Sequence, residues 1–304
     1  MDTQKITPFL WFDKQAKAAA EFYVTEFGGD SAVTSVTPIP GTPSGDVEVV
    51  GFRLLGYAFT AISAGPEFKI NPSVSFIVNF DPSRRPDAKE ALEALWGKLA
   101  AGGAVLMPLD TYPFSARYGW VQDRYGVSWQ LILSNPEGDA RPDIVPSLLF
   151  TNDVWGKAET AMKFYTSVFR DAREGIIARY GPGQAPDEEG TVMFEDFMLL
   201  GQWFAAMDSA HAHDFSFNEA VSLVVNCETQ DEIDYLWEKL SAVPQAEQCG
   251  WLKDKFGLSW QIVPAKLARL MGGTPEQRAR VTRAFLKMKK FDIAALERAY
   301  EGKG

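Results

Sequence analysis

The chain has 304 residues, enough for two domains, and its 46% hydrophobic and 23% charged residues place it with globular proteins and exclude a disordered or fibrous chain. A formal net charge of -10, with Lys and Arg dispersed and dense only at residues 287–290, argues against a nucleic-acid partner, which requires a basic face. A cytoplasmic protein with no membrane partner is expected: Cys227 and Cys249 imply no disulfide framework, the start through Asp2 and Lys5 lacks an apolar signal region, and no uninterrupted apolar run reaches the ~18 residues of a membrane span.

The first expected element is an apolar strand over residues 6–12. Asp13 is placed to cap a helix over residues 14–27, whose Ala19, Phe22, Tyr23 and Phe27 recur at helical spacing. Three strands follow near residues 32–37, 47–54 and 57–63, separated by the Pro- and Gly-rich stretch 38–45 and by Gly56. The order then restarts with a strand at 74–79, a helix at 87–99, and strands near 105–109, 120–122 and 127–133. Residues 135–143, with Pro136, Gly138 and Pro142, read as a linker. Beyond it lie a strand at 144–150, a helix ending at Phe169 for which Asn152 or Asp153 can serve as cap, and a later helix with a capping box from Thr229 to Glu232. After Pro264 two amphipathic helices are expected, over residues 274–287 with Thr274 as cap and Pro275 at the first helical position, and over 292–300 with Asp292 as cap.

The chain states its pattern twice. Gly119-Trp120-Val121-Gln122-Asp123-Arg124-Tyr125-Gly126-Val127-Ser128-Trp129-Gln130 returns as Gly250-Trp251-Leu252-Lys253-Asp254-Lys255-Phe256-Gly257-Leu258-Ser259-Trp260-Gln261. Earlier landmarks recur in the same order: Val74-Ser75 with Val221-Ser222, Leu55-Gly56 with Leu200-Gly201, and Phe22-Tyr23 with Phe164-Tyr165. A period above a hundred residues exceeds a solenoid repeat, so each copy is expected to be a domain with its own core, over residues 1–134 and 144–264, followed by a helical tail at 265–304. Strand-helix-strand-strand-strand occurs twice per copy. The copies are expected to superpose and to pack through sheet edges or by module swapping, as an intrachain pseudo-dimer, with weak further homodimerisation left open. Asp123 and Asp254 stand where tight turns favour Asp, and Gly126 and Gly257 stand where such turns need positive φ.

Pro8-Phe9-Leu10-Trp11-Phe12, Phe22-Tyr23, Phe217-Asn218-Glu219-Ala220-Val221-Ser222, Trp237-Glu238-Lys239-Leu240 and the Gly-Trp to Trp-Gln hairpin together resemble the PhnB-like branch of the vicinal oxygen chelate (glyoxalase/bleomycin-resistance/dioxygenase) superfamily. The resemblance spans nearly all of residues 5–264. It implies an α+β fold of tandem glyoxalase-like domains, each of two βαβββ modules, with curled sheets forming open cups around a small ligand. Some relatives carry the label 3-demethylubiquinone-9 3-methyltransferase. Methyl transfer on a Rossmann-like site would need a Gly-rich loop between strand and helix, and neither copy has one.

Metal-dependent relatives place His, Gln or Glu ligands on the first, fourth, fifth and eighth strands. Carried over, those positions fall near Thr7 and Val145, within 57–63 and 202–207, near 73–75 and 220–222, and on Gln130 and Gln261. Only Gln130 and Gln261 supply a donor, and a neutral amide alone holds a divalent ion weakly, so no metal and no cofactor are expected. Alternation puts Ser128, Gln130 and Ile132 on one strand face and Val127, Trp129 and Leu131 on the other. The resemblance implies that the Gln face looks into the cup. The expected binding residues are Gln130, Gln261, Ser75 and Ser222 as polar points and Phe9, Trp11, Phe59 and Phe204 as walls. His211 and His213, flanked by Asp208 and Asp214, read as a solvated loop or a lid, with a His-x-His metal site as the alternative. Cys249 matches Tyr118 and has no neighbouring His in sequence to activate it, so no catalytic residue is assigned. Three readings remain: an enzyme acting on a small metabolite, a non-catalytic protein that sequesters a small molecule, and an assembly module whose terminal helices dock a partner.

Overall fold

The computed structural model describes residues 4–42, 44–135 and 140–303, so Met1 and Asp2 at the start and Pro136 and Gly138 of the expected linker lie outside it. Copy one contributes β1 (Ile6–Phe12), α1 (Ala16–Phe27), β2 (Ala32–Thr42), β3 (Gly45–Leu54) and β4 (Tyr57–Ser63), then β5 (Val74–Phe80), α2 (Ala88–Ala100), β6 (Ala104–Tyr112), β7 (Ser115–Gln122) and β8 (Ser128–Leu133). Copy two contributes β9 (Ile144–Phe150), α3 (Ala158–Val168), β10 (Arg173–Arg179), β11 (Val192–Leu199) and β12 (Gln202–Asp208), then β13 (Val221–Cys227), α4 (Gln230–Leu240), β14 (Trp251–Lys253) and β15 (Ser259–Pro264). The tail holds α5 (Leu267–Met271), α6 (Pro275–Phe285) and α7 (Ile293–Glu301). No helix among the described residues is long and apolar enough to cross a membrane.

Two sheets form, and each takes one module from each copy. The eight-stranded sheet runs β10-β11-β12-β9-β5-β8-β7-β6, joined where β5 pairs antiparallel with β9. The seven-stranded sheet runs β14-β15-β13-β1-β4-β3-β2, joined where β1 pairs antiparallel with β13. Each copy nevertheless keeps an aromatic core between the sheets. In copy one Tyr23 packs on Phe52 and Trp129, and Phe59 reaches across from β4 to Phe76 on β5, with ring centroids 5.0 Å apart. In copy two Tyr165 packs in the same way on Phe197 and Trp260. The modules are thus exchanged between sheets, and one continuous apolar core joins the aromatic groups of both copies.

Several boundaries differ from those expected, each for a local reason. The stretch 38–45 does not break the chain as expected; β2 and β3 extend through most of it as a long hairpin, with Pro38 and Pro40 on the edge strand β2, where a missing N–H breaks no inner ladder. Asp13 does not cap α1, nor do Asn152 or Asp153 cap α3. The hydroxyl of Ser63, at the end of β4, accepts from the Ala16 N–H, and Asp208, at the end of β12, accepts from the Ala158 N–H. Both caps come from a strand distant in sequence. Thr229 does accept from the Glu232 N–H, but the Glu232 carboxylate reaches back to the Glu228 N–H and not to Thr229. Thr274 and Gln277 form a complete capping box on α6, and Asp292 caps α7.

The copies diverge at one edge. Copy two has no strand corresponding to β6, and the tail lies there: the N–H groups of Cys249 and Gly250 donate to the carbonyls of Met288 and Lys289 at 2.8 and 2.7 Å. The glycine of each Gly-Trp pair is required by close approach. A Cβ on Gly119 would meet the Trp96 ring at 2.6 Å, and one on Gly250 would meet the Phe291 ring at 2.5 Å.

Candidate functional site in the cup of the eight-stranded sheet

The concave face of the eight-stranded sheet encloses a cavity of about 1100 Å³. Strand alternation decides what lines it. On β8, Gln130 and Ile132 face the cavity while Trp129 and Leu131 face the core; on β5, Ile77 and Asn79 face in while Phe76 and Val78 face away. On β12, Trp203, Ala205 and Met207 line the space, and Phe204 and Ala206 do not. The walls come from both copies: Tyr118, Trp120 and Gln130 from the first, Phe194, Trp203 and Tyr180 from the second. Leu106 and Phe114 on one side and Ile176 on the other leave exposed apolar side chains at its margin.

Gln130 sits on the cup floor, 2% exposed. Its Oε1 accepts from the Tyr118 hydroxyl at 2.7 Å and its Nε2 donates to Ser75 Oγ at 2.8 Å. Burial pushes the Tyr118 phenol well above its ordinary pKa, so it stays protonated and donates. The amide is fixed by side chains and keeps spare donor and acceptor capacity. Trp120 on the neighbouring strand donates to Ser128 Oγ at 2.7 Å, which holds its ring against the cavity. Ile77, Val145, Trp203 and Ala205 pack into a continuous apolar floor beside the amide.

Two loops of copy two reach over the same cavity. Tyr180, Gln184 and Asp187 come from the β10–β11 connection, and Ser209, His211, His213 and Phe215 follow β12. Asp187 Oδ1 accepts from the Ala210 N–H at 2.6 Å, tying the two loops together, and its Oδ2 lies 3.8 Å from His211 Nε2. Ser209 Oγ and His213 Nε2 are 2.9 Å apart. Burial, then the neighbouring His211, lowers the His213 pKa, so this ring is neutral at neutral pH. The expected lid reading therefore has a geometric counterpart.

The other expected site residues are distributed as follows. Ser75 is wholly buried beneath Gln130 as its hydrogen-bond partner. Phe59 and Phe204, expected as cup walls, lie instead in the aromatic cores between the sheets, because alternation turns Trp203 and Ala205 to the cavity and Phe204 away, and Phe59 stacks on Phe52. Phe9, Trp11, Ser222 and Gln261 belong to the seven-stranded sheet. There Gln261 Nε2 donates to Ser222 Oγ at 2.9 Å, repeating the Gln130–Ser75 pair, but Cys249 replaces Tyr118. Trp11 packs edge-on against Phe68 and Trp251, and Phe9 packs edge-on against Trp251, so interlocked aromatics line that sheet. Tyr118, Trp120, Trp203 and Asp187 escaped the sequence reading as site residues. The period-two pattern of the repeated hairpin carried the signal for Tyr118 and Trp120, since Gly119 and Val121 must face the other way.

The superfamily's metal fits neither cup by its donor chemistry. The floor of the large cup is lined by Val145, Trp203, Ile77 and Gln130, whose one amide oxygen is already engaged by Tyr118, and Ser75 at the fifth-strand position is buried beneath that amide. Among the described residues no group of three or more His, Cys, Asp or Glu is placed to hold a metal ion. For the His-x-His alternative, the two rings sit 6.5 Å apart, His211 beside Asp187 and His213 beside Ser209.

A family model described as 3-demethylubiquinone-9 3-methyltransferase matches residues 4–132 and 142–263, both copies. A Bacillus cereus PhnB protein bearing that label is 34% identical over 43% of this chain and 100% of its own, with a TM-score of 0.38. Glyoxalase I from Zea mays is 11% identical over 87% of this chain and 94% of its own, with a TM-score of 0.53, a likeness of fold. No curated protein matches the chain significantly. The matched segments cover most of both copies, and the chain belongs to the PhnB-like, 3-demethylubiquinone-9 3-methyltransferase-labelled family, as a tandem duplicate.

Proposed function

We propose that the chain binds a small organic molecule in the cup of the eight-stranded sheet, and that the cup of the seven-stranded sheet is a structural partner. The carrying observation is the cavity of about 1100 Å³ with an apolar floor and one oriented amide, Gln130, at its centre. Such a volume suits a drug-sized ligand held mainly by apolar contact and oriented by few polar groups. The second cup supports this division, since Phe9, Trp11, Phe68 and Trp251 pack edge to face against one another there.

Sequestration accounts for these features with fewer requirements than catalysis. The floor presents no metal-ligand set, and the methyl transfer named in the family's label finds no Gly-rich loop here. Calorimetric titration with a panel of aromatic small molecules tests the reading, with Ile77→Trp to fill the cavity. Binding is expected in the wild type and loss of at least tenfold in the variant. Unchanged binding in a folded Ile77→Trp protein would move the site elsewhere.

A further inference from the structure

The charges around the large cup are one-sided. Arg141, the basic residue on its lining, has its guanidinium 2.8 Å from the Asp196 carboxylate and lies 3.7 Å over the Trp203 ring, so its charge is matched within the wall. Asp187 faces the same space. It is 7% exposed, one of its oxygens is held by the Ala210 N–H, and the other has the exposed His211 imidazole at 3.8 Å. Asp208 lies nearby, with its carboxylate oxygens accepting from the Ala158 and Val192 N–H groups. Tyr180 reports the field these groups make: its phenol is pushed up to about 12 by burial and then by Asp187 and Asp208. A carboxylate beside an aromatic ring, in a mostly apolar space that weakly screens charge, favours a cation whose remaining surface is apolar.

We propose that the cup is selective for a cationic organic ligand, an aromatic body carrying a protonated amine or quaternary nitrogen placed against Asp187 and Tyr180. This rests on the cup being the binding site. The ring system lies along Trp120, Ile77 and Trp203, with Gln130 meeting a polar substituent, while the nitrogen lies under the two loops that Asp187 joins. An anionic ligand of the same shape meets Asp187, while Arg141, the one Lys or Arg among the described lining residues, is already held by Asp196.

Three probes of one shape separate the terms: 2-naphthylmethylammonium, 2-naphthylmethanol and 2-naphthoate, titrated calorimetrically in one buffer. The expected order in the wild type is cation tighter than neutral by about tenfold, with the anion weakest. Asp187→Asn retains an acceptor for the Ala210 N–H and is expected to bring cation and neutral probe within about twofold. Equal affinities in the wild type, a preference for the anion, or a cation preference undiminished in Asp187→Asn would overturn the proposal. The wild-type order decides alone if the variant fails to fold. Ile77→Trp separates the two readings: if it weakens all three probes and they show no charge preference, only the charge proposal falls. Probes that bind with Ile77→Trp as tightly as without it, or no binding by any probe, would overturn the cup reading and this proposal together.

Discussion

At the residue scale, paired positions in the two copies separate structural from ligand-facing roles. Asp123 and Asp254 each accept from two backbone N–H groups of their turn and from the indole N–H of Trp129 or Trp260, and Asp254 also accepts from the Tyr165 hydroxyl. These carboxylates bind turn, strand and helix together. Asp254→Ala leaves four donors in a buried site, and at about 1 kcal/mol or more each the expected loss is roughly 3 kcal/mol or more, measured by urea unfolding. A loss under 1 kcal/mol would show the turn to be held by other contacts. Gln130→Leu, by contrast, is expected to leave the melting temperature within a few degrees and to weaken ligand binding about tenfold, whereas Gln261→Leu leaves binding unchanged. The turn role of the aspartates and the core role of Trp129 and Trp260 were legible from turn chemistry and alternation. The tryptophan bonds to those aspartates were not, because they depend on the packed geometry of the hairpin.

At the element scale, β11 carries an unusual group. Glu195 is wholly buried between the sheet and α3, and neither carboxylate oxygen has a hydrogen-bond partner among the described residues. Burial, then repulsion from Asp208 and Glu159, raises its pKa from the ordinary carboxylate range to about 8. Between about pH 4.5 and 8 the folded chain therefore holds a proton that the unfolded chain has lost. Stability falls as pH rises through that window, by an amount on the order of a few kcal/mol. Glu195→Gln should flatten this dependence and stabilise the chain at pH 8.5 relative to pH 5.5, compared by denaturant unfolding. Identical pH profiles for variant and wild type would show that Glu195 ionises at no cost. Strand and helix order was readable from periodicity, while the caps of α1 and α3 were not, since Ser63 and Asp208 reach those helix ends from another strand. The tail follows the same principle. Its helices bury Val281, Ile293 and Leu296 against this chain, as the connection between α6 and α7 buries Phe291, a docking in cis where the sequence left a partner open. Removal of residues 265–304 is expected to uncover the β14 edge and cause aggregation, monitored by light scattering.

At the scale of the whole molecule, duplication and exchange give the large cup walls from both copies. The repeat was evident in the sequence, including the βαβββ order of its modules, except that among the described residues the last module has two strands after its helix where three were expected. Which modules share a sheet was not, because strand pairing between copies depends on β1 meeting β13 and β5 meeting β9 over separations that no local pattern encodes. The same blindness placed Phe59 and Phe204 in a cup, as strands of unknown facing offer two alternatives and only the closed sheet selects one. Because the large cup takes walls from both copies, separately produced residues 1–134 and 144–304 should each lack binding and recover it on mixing. A crystal structure with a titrated aromatic ligand bound tests the central claim most directly. The expected result is ligand density in the eight-stranded cup, in contact with Gln130 and Trp203, with Phe9, Trp11 and Trp251 still packed edge to face in the other. Ligand bound within the seven-stranded cup, or outside both, would contradict it.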